Sequence, residues 1–98
     1  METIVATGHW IYGGVTSAAV CVVMLDYDFW YAVGEADNDL EEDESPQLNP
    51  EGRLYYVRYR PGWPAGGKPF WPDSQGFHLV DDAIAAAEAA VPGSITWQ

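Results

Sequence analysis

Residues 18–25 read Ala-Ala-Val-Cys-Val-Val-Met-Leu, an unbroken apolar run with no polar side to turn toward water. Three valines in eight positions favour extended backbone over helix, and a strand that is apolar on both faces belongs in the interior of a sheet. The rest of the chain is then read as what surrounds a central strand.

Residues 3–12 alternate in the two-residue period of a strand, with Ile4, Ala6, Gly8, Trp10 and Tyr12 on one face and Thr3, Val5, Thr7 and His9 on the other. Gly13-Gly14 supplies the positive φ of a hairpin turn. Asp26-Tyr27-Asp28 interrupts the central strand, and residues 29–33 are expected to form a further one. Residues 53–60 alternate again: Tyr55, Val57 and Tyr59 share one face, while Tyr56, Arg58 and Arg60 form an outer, positively charged face. Residues 61–76 hold four prolines and four glycines, which break helix and ladder alike, so a long ordered loop is expected. A helix follows over 79–91, where Val80, Ile84, Ala87 and Val91 form a stripe. Asp81 and Asp82 suit the positive end of its dipole, and Pro92-Gly93 stops it. Ile95 and Trp97 alternate in a short last strand. The expected fold is small α+β: a mostly antiparallel sheet of four to five strands, in the order β-β-β-β-α-β, with one C-terminal helix packed on one face.

Ninety-eight residues make one domain, spanning 1–98, with one modest core. Nearly half the residues are apolar, outside the composition of disordered chains. Fifteen acids against four bases give a net charge of −11, which repels nucleic acids and anionic membranes and attracts basic surfaces. The single cysteine excludes an internal disulfide, and the longest apolar run is too short to span a bilayer. With no signal-peptide pattern at the start, a cytoplasmic location is expected.

The charge concentrates in residues 35–44, where seven of ten side chains are carboxylates: Glu35, Asp37, Asp39, Glu41, Glu42, Asp43 and Glu44. On a helix these charges would occupy ~15 Å and approach duplex phosphate spacing, whereas fully extended they would spread over ~33 Å. Gly34, Asn38 and Pro46 favour a mobile solvated loop over 35–50. An EF-hand does not fit, because Glu42 stands where glycine is required and Leu48 where the bidentate glutamate belongs. Trp63, Phe70 and Trp71 on the 61–76 loop form either extra cover for the sheet or a stacking surface for a ligand or glycan.

The catalytic candidates are few. Cys21 lies in the apolar strand, where a thiol is normally an inert small hydrophobe. His9 and His78 lack the partners of a zinc motif, and no nucleophile-elbow, phosphate-loop or dinucleotide fingerprint occurs. Asp26 and Asp28 would share a face if the strand continued through them. The expectation is a non-enzymatic acidic interaction protein without metal or cofactor, which occupies a basic surface of a partner as an inhibitor, immunity protein or charge mimic. The acidic run would steer association while Trp63, Phe70 and Trp71 anchor it. A homodimer formed through exposed aromatics is a further possibility, and a ligand- or glycan-binding module is the alternative.

Overall fold

The computed structural model describes residues 3–12, 14, 16–59, 72–91 and 93–98. Strands β1 (Thr3–Tyr12) and β2 (Thr16–Leu25) form a hairpin, followed by helix α1 (Phe29–Ala36), β3 (Leu54–Tyr59), helix α2 (Val80–Ala90) and β4 (Thr96–Trp97). Among the described residues the strands form one antiparallel sheet in the order β3-β2-β1-β4, so the valine-rich segment is central as its composition requires. The class is small α+β with a C-terminal helix on the sheet.

Residues 29–33 are helical, which corrects the expectation of a strand there and makes the element order β-β-α-β-α-β. The physical reason lies at Asp28, whose extended backbone and side-chain acceptor make it a helix N-cap. The C-terminal helix packs on one face of the sheet as expected, and α1 adds a second helix over part of the other face. Residues paired across antiparallel strands point to the same side, so Val20, Val22 and Val57 face one way with Trp10, and Cys21, Val23, Leu25, Leu54 and Tyr56 the other. On the first side lies α2, where Ala83 and Ala87 are fully buried and their small side chains allow close approach to the sheet. The expected stripe of Val80, Ile84, Ala87 and Val91 packs into that cluster, and Ala83 joins it. On the second side lies α1, which buries Phe29 with help from Val33 and Leu48.

Tyr56 is therefore not on an outer face; its side chain is fully buried beneath α1. Ile4 also departs from the simple alternation. Val5 is an extra residue in β1, since Ile4 pairs with Val23 and Ala6 with Val22, and this bulge turns Ile4 to the α1 side. Gly14 has φ +79°, as the hairpin turn requires, while Gly13 and Pro92 lie outside the described residues. Gly8 is where β4 crosses closely: a Cβ there would fall 2.8 Å from Ile95 Cγ2 and 2.9 Å from the Thr96 carbonyl oxygen.

The outer edge of β3 is closed by residues 73–77. Tyr55 exchanges both backbone hydrogen bonds with Phe77 at 2.8 Å. The N–H groups of Val57 and Tyr59 donate instead to side chains, to Ser74 Oγ and Asp73 Oδ2, each at 2.8 Å. Two side-chain oxygens thus continue the ladder, and they satisfy edge donors that would otherwise recruit another chain. No helix among the described residues is long and apolar enough to cross a membrane.

Candidate functional site

Helix α1 is held at its start by two side chains, one from its own N-cap and one from the distant strand β3. Asp28 Oδ1 accepts from the Tyr31 N–H at 3.1 Å, and the Tyr56 hydroxyl accepts from the Phe29 N–H at 2.8 Å. Those bonds satisfy two of the four donors that a helix N-terminus leaves open. Asp28 Oδ2 accepts from the Gln47 N–H at 2.9 Å, which fastens the far end of the acidic run to the start of the helix. Asp26 and Asp28 do not form a shared strand face, because β2 ends at Leu25 and Asp28 caps the helix.

The helix ends by reversing. Asn38 takes the left-handed conformation at φ 55°; its N–H donates to the Glu35 carbonyl at 3.2 Å, and the Asp39 N–H donates to the Gly34 carbonyl at 2.8 Å. This is a Schellman ending, with asparagine where glycine is the commoner choice. Leu40 then folds back over Gly34, where a Cβ would lie 2.7 Å from Leu40 Cδ2. The acidic run consequently returns alongside α1. Only Glu35 of its seven carboxylates is helical, so the charges do not lie at helix spacing.

Between α1 and the returning chain opens a cleft of about 390 Å³, lined by Trp30, Tyr31, Leu40, Asp43, Glu44, Ser45 and Gln47. Trp30 is oriented by a hydrogen bond from Nε1 to the Ser74 carbonyl at 2.9 Å and by an edge-on contact with Phe29 at 5.0 Å. The opposite rim is pinned where the Gln47 carbonyl meets His78 Nε2 at 2.9 Å and where Asn49 Nδ2 donates to the His78 carbonyl at 3.1 Å. Leu48, between these anchors, packs into the core beneath α1. One wall is therefore aromatic and the other carries two carboxylates, on supports tied to the sheet.

Of the seven carboxylates in the run, Asp43 and Glu44 line this cleft, whereas Glu35, Asp37, Asp39, Glu41 and Glu42 are exposed elsewhere along the reversal. Trp63, Phe70 and Trp71 lie outside the described residues, as do Arg60 and Lys68. Trp30 and Tyr31 were not singled out by the sequence reading, because a strand assignment gave them no common site with the acids. The available signal was Asp28 ahead of Phe29 and Val33, an N-cap followed by apolar residues four apart. Glu35 and Asp37 sit at the negative end of the helix dipole, with no basic residue in the last turn to offset them.

Burial pushes the Cys21 thiol up to about 11, against the opposing influence of Arg58, so it is overwhelmingly protonated at neutral pH. His9 is half-buried in β1, opposite Ala19. Among the described residues no three His, Cys, Asp or Glu side chains group as a metal site would require. Arg53 Nη1 donates to Met24 Sδ at 3.3 Å. Compared with protein-family models, with curated proteins and with solved structures, the chain matches none.

Proposed function

We propose that this chain is a small acidic, non-enzymatic interaction protein of the cytoplasm that occupies a basic surface of a partner protein. The cleft beside α1 takes one cationic side chain of that surface. The observation that carries the reading is the placement of Asp43 and Glu44 across from Trp30 and Tyr31. A guanidinium or ammonium about 4 Å from a carboxylate gains roughly 1–4 kcal/mol in surroundings between bulk water and a protein surface. Contact with an indole face adds about 0.5–2 kcal/mol. Either contribution alone is a weak anchor, but both acting on one cation give a site that prefers a long basic side chain to an anionic or neutral one. The remaining carboxylates act over a longer range and chiefly raise the rate of encounter. If the partner's basic surface normally holds nucleic acid, occupation makes this chain an inhibitor.

The test uses an oligoarginine peptide and an oligoglutamate control, followed by backbone and indole NMR shifts. Shifts should concentrate on Trp30, Tyr31 and residues 43–47 for the basic peptide only. The pair Asp43→Asn and Glu44→Gln should weaken its binding about tenfold, as loss of roughly 1.4 kcal/mol requires. Neutralising Glu41 and Glu42 should act mainly on the association rate. Peptide-induced shifts spread evenly over all carboxylates, with the indole of Trp30 unmoved, would reduce the cleft to a diffuse negative field and sink the reading.

A further inference from the structure

Helix α1 covers only part of its face of the sheet, namely the part formed by β3 and the adjoining side of β2. Among the described residues nothing covers the remainder, formed by β1 and the start of β2: Ile4 and Ile11 are 57% and 53% exposed, and Ser17 and Ala19 are exposed beside them. A hollow of about 430 Å³ lies there, with Thr7, His9, Ser17 and Gln98 in its lining. No Asp, Glu, Lys or Arg occurs anywhere from Thr3 to Leu25, although the chain carries fifteen acids. Burial accounts for that gap at Val20, Cys21 and Val22, but not at Ile4, Ile11, Ser17 and Ala19, which face water.

We infer that this uncharged face of the hairpin is the contact between two copies of the chain. The occupant follows from the distribution of charge. A basic partner gains nothing on a surface without carboxylates and is drawn to the acidic run instead. A second copy, itself at −11, is repelled from the α2 side, where Asp81, Asp82 and Glu88 stand, and from the α1 side, where the acidic run lies. On the hairpin face it meets neither, and the exposed isoleucines gain burial. A two-fold arrangement sets the same patch on both copies and closes after two, leaving both acidic clefts free. The inference does not depend on the cleft having a cationic ligand.

Salt distinguishes this contact from the cleft. Screening removes the repulsion between two polyanions, so self-association should strengthen as salt rises, whereas a cation held by carboxylates should be released. Sedimentation equilibrium on the full chain is expected to show the mass doubling from 10.8 kDa, at lower protein concentration in ~0.5 M salt than in ~0.05 M. Ile11→Glu should weaken the dimer at least tenfold with unchanged circular dichroism. Ser17→Glu, across the strand pair from Ile11, provides the same test if the first variant fails to fold. A chain that stays monomeric at high salt and high concentration overturns the inference, as does a dimer that survives a glutamate at Ile11 or Ser17.

Discussion

Replacing Tyr56 with phenylalanine removes the acceptor of the bond that starts α1. The ring is fully buried and the substitution keeps it, so core packing is preserved while one oxygen is lost. That oxygen accepts from the Phe29 N–H at 2.8 Å, and Phe29 is itself buried. Losing the acceptor of a buried backbone donor costs about 1–3 kcal/mol, more than the roughly 1 kcal/mol of an average hydrogen bond, because the donor cannot turn to water. In a chain of this size, about 1–3 kcal/mol lowers the melting temperature by roughly 4–20 °C. Urea unfolding followed by tryptophan fluorescence reads the loss as a lower midpoint at unchanged slope.

The same variant carries a pH signature. Burial, the largest influence, with the Asp28 carboxylate adding to it and the Phe29 N–H bond opposing it, leaves the Tyr56 phenol pushed up to about 12 from an ordinary value of 10.0. Between those two values the unfolded chain releases a proton that the folded chain retains. Stability from this group is therefore complete below pH 10 and is lost as pH rises toward 12. The Cys21 thiol, raised from 9.0 to about 11, adds a loss that begins lower, and it remains in the variant. Tyr56→Phe should be less stable than wild type at pH 7, and its further decline between pH 10 and 12 should be shallower. A variant within about 0.3 kcal/mol of wild type at pH 7 would refute the role given to the phenol, since a lost buried acceptor costs more.

Three other perturbations test separate parts of the fold. Gly8→Ala drives a methyl into Ile95 and the Thr96 backbone, and should cost about 1–3 kcal/mol by overpacking, with faster amide exchange at Gln98 as β4 lifts from β1. Ser74→Ala removes the acceptor of the Val57 N–H and should cost about 1–2 kcal/mol, read by urea unfolding and by loss of protection at that amide. Glu35→Gln relieves a carboxylate at the negative end of α1 and should raise stability by about 0.3–1 kcal/mol at low salt, with the gain shrinking as salt is added.

The hairpin and α2 were legible in the sequence because each is specified over many residues by one strong pattern. The valine run admits little besides a central strand, and the alanine-rich segment after His78 has helical spacing together with acids in its first turn. Helix α1 was not legible from its own side chains. Phe-Trp-Tyr-Ala-Val consists mostly of residues that favour strands, and eight residues are too few for a helix to form on propensity alone. What makes it helical is the Asp28 cap together with two tertiary contributions: Tyr56 satisfies a further donor, and Phe29 is buried under it. The bulge at Val5 has no marker in the sequence, so the outward turn of Ile4 was not foreseeable from alternation.

The cleft was hidden for the same reason. A strand over 29–33 would have sent Trp30 and Tyr31 to opposite faces and carried the acids away from both. The helix with its reversal at Asn38 brings Asp43 and Glu44 back to them. That arrangement is electrostatically unfavourable in the free chain. Glu35 and Asp37 oppose the helix dipole, with no basic residue in the last turn to offset them, and five more carboxylates follow by residue 44. The strain of like charge is relieved by an external cation or by salt, but the two act differently. A cationic side chain relieves it locally and is displaced as salt rises; salt relieves it everywhere and favours contact between copies through the uncharged hairpin. One chain with charge segregated in this way should hold its basic partner best at low ionic strength and itself best at high ionic strength. A single titration of salt against both equilibria, made on wild type and on Ile11→Glu, separates the two surfaces, because the substitution should remove the second response and leave the first.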